Sequence, residues 1–261
     1  MKTAVSRRSF LWIIGILILF AWLSLWIWEQ SPYGRYLHHG QWVKISHAGF
    51  AEHTIGFSFA LYLAGWTLMT VAMMLPTTLP LVEIFQRLTL QRKNHLQLVV
   101  LLIAGYLSIW AGFGMVAHIG DWGLYQLIGR IPWIQSNAWV LGAGILVLAG
   151  SFQFSSLKYR CLDKCRAPLS FVMQYWRGKR DRLHSFMLGI HHGIFCVGCC
   201  WALMLLMFVV GTGSIGWMLA LGAVMAIEKN MPWGRKLSAP LGIALIGLGL
   251  LIVVLHSPQF I

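Results

Sequence analysis

The sequence predicts an all-α polytopic membrane helical bundle, and three observations lead to this fold class. The chain has 261 residues, of which 58% are hydrophobic and only 10% are charged, whereas a soluble domain carries about 25% charged residues. Long apolar runs recur along the whole chain, and several approach the ~20 residues that a helix needs to cross a bilayer. Because backbone groups in lipid must be paired within the protein, we expect these runs to be helices. They form blocks, not the short alternating strands that are typical of an outer-membrane barrel.

We place about seven transmembrane helices in a single integral membrane domain. The predicted spans are 10–28, 55–75, 96–117, 138–155, 185–209, 215–227 and 239–255. The segment 215–227 is short, so six spans with a re-entrant segment is the alternative arrangement. Near the end of the second span, Pro76 and Pro80 each lack a backbone donor and should kink or break the helix.

The distribution of basic residues predicts the orientation of the chain. With the N-terminus in the cytoplasm, 17 of the Lys and Arg residues fall on the cytoplasmic side and three fall outside. Such a bias is the positive-inside signature, and it predicts a multi-pass protein of a bacterial inner membrane. We therefore assign the net charge of +13 to topology and contact with anionic lipid, with no nucleic acid as a partner.

Two long polar segments follow from this topology. Residues 29–54 are predicted to be periplasmic and contain His38, His39, His47 and His53. Residues 156–183 are predicted to be a basic cytoplasmic segment, and they contain two of the five cysteines. Histidines without a ligand pattern in a loop are usually solvated, so we assign no role to the periplasmic ones.

The cysteines and methionines suggest a metal site. Cys196, Cys200 and Met204 recur at helical spacing within the fifth predicted span, with Cys199 beside them. The second span presents a further group of sulfur atoms on one side: Met69, Met73 and Met74. Soft sulfur ligands select Cu(I), and zinc is the second choice where thiolates dominate. His191 and His192 are candidate nitrogen donors, because histidines in a span are costly without a partner.

Other residues are weaker candidates. Cys161 and Cys165 lie one helical turn apart and form a second candidate metal or thiol site; a disulfide framework is not expected in the reducing cytoplasm. Glu83 and Glu228 lie at cytoplasmic ends of spans, where a paired or solvated carboxylate is the alternative reading. For the cysteines and methionines the alternative is helix packing, since both residue types fill buried gaps.

Five motifs stand out along the chain: Met69-x3-Met73-Met74-Leu75-Pro76-x3-Pro80, Gln153-x3-Leu157-Lys158-x2-Cys161-x3-Cys165-Arg166-x-Pro168, Gly189-x3-Gly193, Cys196-x-Gly198-Cys199-Cys200-Trp201-Ala202-Leu203-Met204 and Glu228-Lys229. Over roughly residues 60–250 they resemble a bacterial family of predicted metal-binding integral membrane proteins that are also described as copper chaperones. The resemblance implies a multi-span helical protein with a metal site. The segment 29–54 does not match the family pattern, so the resemblance implies no role for its histidines.

Three functional hypotheses follow. The preferred one is a membrane protein that handles copper through an intramembrane Cys/Met site and delivers it to, or receives it from, a metallochaperone or a membrane cuproenzyme. The second is a membrane thiol oxidoreductase that uses the cysteine cluster. The third is a structural or assembly subunit of a membrane complex. The sequence shows no nucleotide loop, Ser-His-Asp arrangement or paired carboxylates, so we expect a binding protein without catalytic residues.

Overall fold

The computed structural model describes residues 7–31, 52–137, 139–176, 181–210 and 214–256. Within these ranges the protein is all-α and has no β-strand, which confirms the predicted secondary-structure class. Most of the predicted periplasmic histidine segment, residues 32–51, lies outside the described residues. The α-helices, in chain order, are α1 (Arg7–Gln30), α2 (Glu52–Met73), α3 (Leu75–Thr89), α4 (His95–Gly129), α5 (Pro132–Ser136), α6 (Trp139–Phe152), α7 (Ser156–Arg166), α8 (Pro168–Tyr175), α9 (Asp181–Val210), α10 (Ile215–Asn230) and α11 (Ser238–His256). A 3₁₀ helix, Gly234–Leu237, leads into α11.

Several helices are long and apolar enough to cross a membrane. Four described segments meet this condition alone: Trp12–Gln30, His95–Gly129, Asp181–Met207 and Gly234–His256. Two bent pairs, α2 with α3 and α6 with α7, raise the number to six if each pair is one span. The predicted sixth span, 215–227, lies in α10, which has 16 residues and is short for a crossing helix.

The break between α2 and α3 occurs where the sequence predicts it. The two helices meet at Met74 with a bend of 66°, because Pro76, in the first turn of α3, cannot donate to the preceding turn. Pro80 lies inside α3, which continues through it, so the sequence was wrong to expect a break at Pro80. Side chains satisfy the carbonyl oxygen of Met74: the hydroxyl of Thr77 donates to it over 2.8 Å and that of Tyr106 over 3.4 Å. The bend therefore places Met74 inside the bundle, and its side chain is fully buried.

Large apolar side chains cover much of the outer surface. Trp12 on α1 and Val254 on α11 are 71% and 70% exposed, and many further Leu, Ile and Phe side chains share these faces. Soluble monomers rarely expose contiguous apolar surface on this scale. Such faces are typical of helices that contact lipid.

The helix α9 forms the centre of the bundle and packs along α4. Glycines permit this close approach: a Cβ atom at Gly189 of α9 would overlap the carbonyl of Leu102, and one at Gly105 of α4 would overlap that of Phe186. α7 lies against another part of α9 after a bend of 63° from α6. The predicted basic segment 156–183 therefore includes buried side chains, among them Lys158 and Cys161.

Candidate metal centre

Three cysteines on α9 form the core of the candidate centre. Cys196, Cys199 and Cys200 are 1%, 2% and 1% exposed. The thiols of Cys199 and Cys200 donate to the carbonyl oxygen of Cys196 over 3.1 Å and 2.8 Å. Spacings of three and four residues place all three on neighbouring positions of one helix face. The sulfur atoms are therefore concentrated in one turn of α9, as the sequence predicts.

The break after α2 brings a thioether to this turn. The thiol of Cys200 lies 4.0 Å from the Sδ atom of Met74. On the other side, the hydroxyl of Tyr106 on α4 lies 3.2 Å from the Sγ atom of Cys196. The centre thus contains sulfur donors from two separate parts of the chain.

A buried ammonium group lies among these sulfur atoms. The Nζ atom of Lys229, near the end of α10, donates to the Sγ atom of Cys196 over 2.9 Å. It lies 3.9 Å from the Sγ atom of Cys200, 4.0 Å from the Sδ atom of Met74 and 3.3 Å from the Oγ1 atom of Thr77. Lys229 is 5% exposed, so its charge is located inside the bundle.

The neighbouring Glu228 has a separate set of partners. Its carboxylate accepts from the ammonium of Lys158 on α7 over 2.6 Å and from the hydroxyl of Ser238 over 2.6 Å. The amide oxygen of Gln153 also accepts from Lys158. Both members of the Lys158–Glu228 ion pair are buried, and the pair connects α7 to the end of α10. Glu228 therefore links α10 to α7 next to the centre, and the described partners of its carboxylate do not include the thiols.

The other two cysteines contact the α9 cluster from α7. The thiol of Cys165 lies beside that of Cys199 and packs against the same buried core. Cys161 packs at Gly198, where a Cβ atom would lie 2.7 Å from its sulfur. Glycine at this position lets α7 approach α9 closely enough for the thiols to meet. The five cysteines are free thiols and lie in one region of the protein.

A cavity of about 100 Å³ opens beside this cluster. Cys165, His192 and Lys229 line its inner part, and Arg166 and Asn230 also border it. His192 is 3% exposed, and its Nδ1 atom has no hydrogen-bond partner among the described groups. Since an unpaired buried ring nitrogen is costly, His192 is suited to receive a ligand from the cavity.

The remaining sequence candidates have different surroundings, and no contact between them and the cysteine thiols is described. The Nδ1 atom of His191 is 2.7 Å from the carbonyl oxygen of Met187, and its ring stacks on Tyr175. Glu83 pairs with Arg87 over 2.5 Å on α3. Met69, Met73 and Met204 are all buried in the same core. Of these, Met73 packs toward Gly222 of α10, where a Cβ atom would lie 3.7 Å from its side chain.

The thiols and the thioether are soft donors, which suit Cu(I) or Zn(II) better than a hard cation. In the ranges that the structure describes, no group of three His, Cys, Asp or Glu side chains has the arrangement of a metal site. The sulfur atoms of Cys196, Cys200 and Met74 nevertheless surround the Nζ atom of Lys229 within 4.0 Å. Thiolate and thioether ligands are those that Cu(I) prefers.

Sequence reasoning did not identify several residues of the centre. Tyr106 belongs to no local motif, and it comes close only through packing of α4. Lys158 and Lys229 belong to motifs of the resemblance, but the charge pattern places both among the cytoplasmic basic residues. The position of Lys229 at the end of an apolar helix beside Glu228 is a signal for burial. The contact between Cys165 and Cys199 depends on the bend between α6 and α7, which the sequence does not specify.

Comparison with known proteins identifies the family. No curated protein and no solved structure matches the chain significantly. A family model for PpoB2, described as a copper chaperone, matches residues 63–252. The match includes the helix break at Met74, the cysteines of α7 and α9, and Lys229, and it agrees with the resemblance seen in the sequence. The chain belongs to the PpoB2 copper chaperone family.

Proposed function

We propose that this protein is an integral membrane copper chaperone that binds Cu(I) within its helical bundle and hands it to another protein. One observation carries the proposal: Cys196, Cys200 and Met74 present two thiols and a thioether in the buried core of a chain of the copper chaperone family. We assign Cys196, Cys200 and Met74 as ligands of the transferred ion. Zinc is the second candidate.

Loading requires a local rearrangement of the thiols. In the structure the Cys199 and Cys200 thiols donate to the backbone carbonyl of Cys196, and each thiol that binds metal must release its proton. Rotation of the side chains about χ1 would turn the sulfur atoms toward a shared ion, and it needs no movement of α9. Met204 on α9 and Met69 on α2 are buried in the same core, and they are additional candidate thioether ligands.

The cavity supplies a route to the ligands. Cys165 and His192 line it, and Cys165 contacts Cys199, which shares a helical turn with the inner thiols. An ion could pass from the cavity to Cys165 and His192, then to Cys199, and finally to Cys196 and Cys200. In this account Cys165 is an entry ligand, and Cys161 supports the contact between α7 and α9.

The membrane assignment is part of the proposal. The exposed apolar faces of α1 and α11 and the four to six apolar segments support insertion into a bilayer. The charge asymmetry of the sequence supports the inner membrane of a bacterium, with the N-terminus and the cavity on the cytoplasmic side. A metallochaperone or a membrane cuproenzyme is the expected partner.

X-ray absorption at the copper edge tests the ligand assignment. Protein purified without oxygen in mild detergent is loaded with one equivalent of Cu(I) and compared with Cys196→Ser and Cys161→Ser. We expect a first shell dominated by sulfur, which loses a sulfur scatterer in Cys196→Ser and is unchanged in Cys161→Ser. A wild-type first shell of nitrogen and oxygen alone would contradict the proposal.

A thiol oxidoreductase is the second candidate, and the contact between Cys165 and Cys199 favours it. Two thiols in contact could form a disulfide if an electron acceptor such as a quinone were reduced at the same time. Thiol trapping after treatment with oxidant and reductant distinguishes the two functions. A reversible Cys165–Cys199 disulfide would support the oxidoreductase, whereas thiols that stay reduced would exclude it.

A further inference from the structure

Lys229 is a buried cation without a carboxylate partner among the described residues. It is 5% exposed, and the ion pairs of the described ranges join other residues: Glu83–Arg87, Arg92–Asp181, Lys158–Glu228 and Arg235–Asp163. A lone buried charge is costly unless an opposite charge compensates it. We therefore expect a negatively charged group close to the ammonium of Lys229.

Among the side chains that form hydrogen bonds with the ammonium, the thiols are the groups that can become negatively charged. These partners are Cys196 Sγ, Thr77 Oγ1, Cys200 Sγ and Met74 Sδ, at 2.9, 3.3, 3.9 and 4.0 Å. A threonine hydroxyl and a thioether stay neutral, whereas a thiol becomes an anion when it binds metal. The adjacent Glu228 is matched by Lys158 over 2.6 Å, so this pair adds no net charge to the centre.

We propose that Lys229 is the counter-ion of a Cu(I) bis-thiolate on Cys196 and Cys200 and that its fixed charge makes the centre prefer Cu(I) to Zn(II). Two thiolates with one Cu(I) ion leave a single net negative charge, and the ammonium of Lys229 cancels it. Two thiolates with one Zn(II) ion are already neutral, so the ammonium would remain as an uncompensated positive charge. Met74 completes either site without changing its charge.

This inference rests on the proposed copper function and adds the basis of its selectivity. Burial makes charge balance decisive, because water does not screen the centre and an uncompensated buried charge is penalised strongly. A ligand set of two thiols and a thioether does not by itself exclude zinc. The charge of Lys229 makes the centre discriminate between the two ions, because Cu(I) and Zn(II) differ in charge.

Two substitutions at Lys229 and one matched control test the proposal. Lys229→Leu removes the charge and adds no sulfur ligand beside the thiols, and Lys229→Arg keeps the charge. Lys236→Leu removes the same charge from an exposed position on the 3₁₀ helix. Dissociation constants for Cu(I) and for Zn(II) are measured under anaerobic conditions, with each metal held by a competing chelator of known affinity.

We expect Lys229→Leu to weaken Cu(I) binding by roughly tenfold or more and to leave Zn(II) binding unchanged or stronger. Lys229→Arg and Lys236→Leu should keep the preference of the wild type. Equal loss of both metals in Lys229→Leu, or unchanged Cu(I) binding, would overturn the counter-ion role while leaving the copper function intact. Loss of the Cu(I) preference in Lys229→Arg would overturn it as well.

Wild-type protein that binds no Cu(I) would overturn the proposed function itself, and with it this inference. If Lys229→Leu is not monodisperse in detergent, Lys229→Gln gives the same comparison, because it also removes the charge and retains a long polar side chain. The same opposite response of the two metals is then expected.

Discussion

The Sγ atom of Cys200 lies 4.0 Å from the Sδ atom of Met74, although 126 positions separate the two residues in the chain. This contact exists because the chain breaks between α2 and α3 and turns Met74 into the bundle, opposite the cysteine turn of α9. The helix break at Pro76 thus positions the thioether that we propose as a copper ligand. The account of the centre depends on this pair and on the ammonium beside it.

Replacing Met74 by Leu should weaken Cu(I) binding. The substitution keeps a similar volume, so its cost in folding free energy should be below about 1.5 kcal/mol, but it removes the thioether. We expect a loss of about tenfold in affinity, which equals ~1.4 kcal/mol, measured by competition with a Cu(I) chelator. Met73→Leu is the control, since Met73 packs toward Gly222. An equal loss in both variants would show that packing, not ligation, is responsible.

His192→Phe should slow copper loading and leave its extent unchanged. The Nδ1 atom of His192 has no described partner and the side chain lines the cavity, whereas the proposed final ligands lie beyond it. Phenylalanine retains an aromatic ring against Tyr106 and Phe171. Stopped-flow measurement of Cu(I) transfer checks the rate, with His191→Phe as the control. A normal rate with reduced stoichiometry would instead make His192 a final ligand.

Breaking the Lys158–Glu228 pair should destabilise the protein strongly. Both side chains are buried, so Glu228→Gln leaves the Lys158 charge uncompensated, at a cost of about 3–5 kcal/mol in the free energy of unfolding. Thermal unfolding in detergent gives the measurement. Asp163→Asn breaks an exposed pair with Arg235 and should cost about 0–1 kcal/mol. The double variant Lys158→Met/Glu228→Gln should recover part of the loss; a loss equal to the sum of the two single changes would argue against the pair.

Gly189→Ala should destabilise the contact between α4 and α9. The added methyl group would overlap the carbonyl of Leu102, and overpacking of this kind costs about 1–3 kcal/mol. Gly112→Ala on α4 is the control, because a Cβ atom there meets nothing within 4 Å. Thermal unfolding of both variants checks the prediction. Equal stability of the two variants would mean that the helices separate easily at this crossing.

The sequence predicts the helices and the break better than the number of crossings. Apolar runs and Pro76 are local signals, and both appear in the structure as expected. The bend between α6 and α7 has no proline, so the sequence interpretation ended a span at residue 155 and treated the following residues as a basic segment. In the structure α7 instead turns back onto α9 and buries Lys158.

In the candidate centre too, local sequence signals predict some features and the packing of the helices decides the others. The cysteine turn of α9 was predicted because spacing alone places side chains on one face. Which other groups reach that face depends on how α4, α7 and α10 pack, and a pattern within one helix carries no such information. Tyr106, Cys165 and Lys229 reach the centre in this way. His191 and His192 show what a sequence pattern cannot predict, because these neighbours in sequence have different surroundings. His192 lines the cavity, whereas His191 stacks on Tyr175.

The most direct test of the central claim is the metal content of protein purified anaerobically in mild detergent, measured by mass spectrometry beside the triple variant Cys196/Cys199/Cys200→Ser. The account predicts near-stoichiometric copper in the wild type after Cu(I) loading and its loss in the variant, with both proteins monodisperse. Copper retained in the triple variant, or none in well-folded wild-type protein after loading, would contradict it.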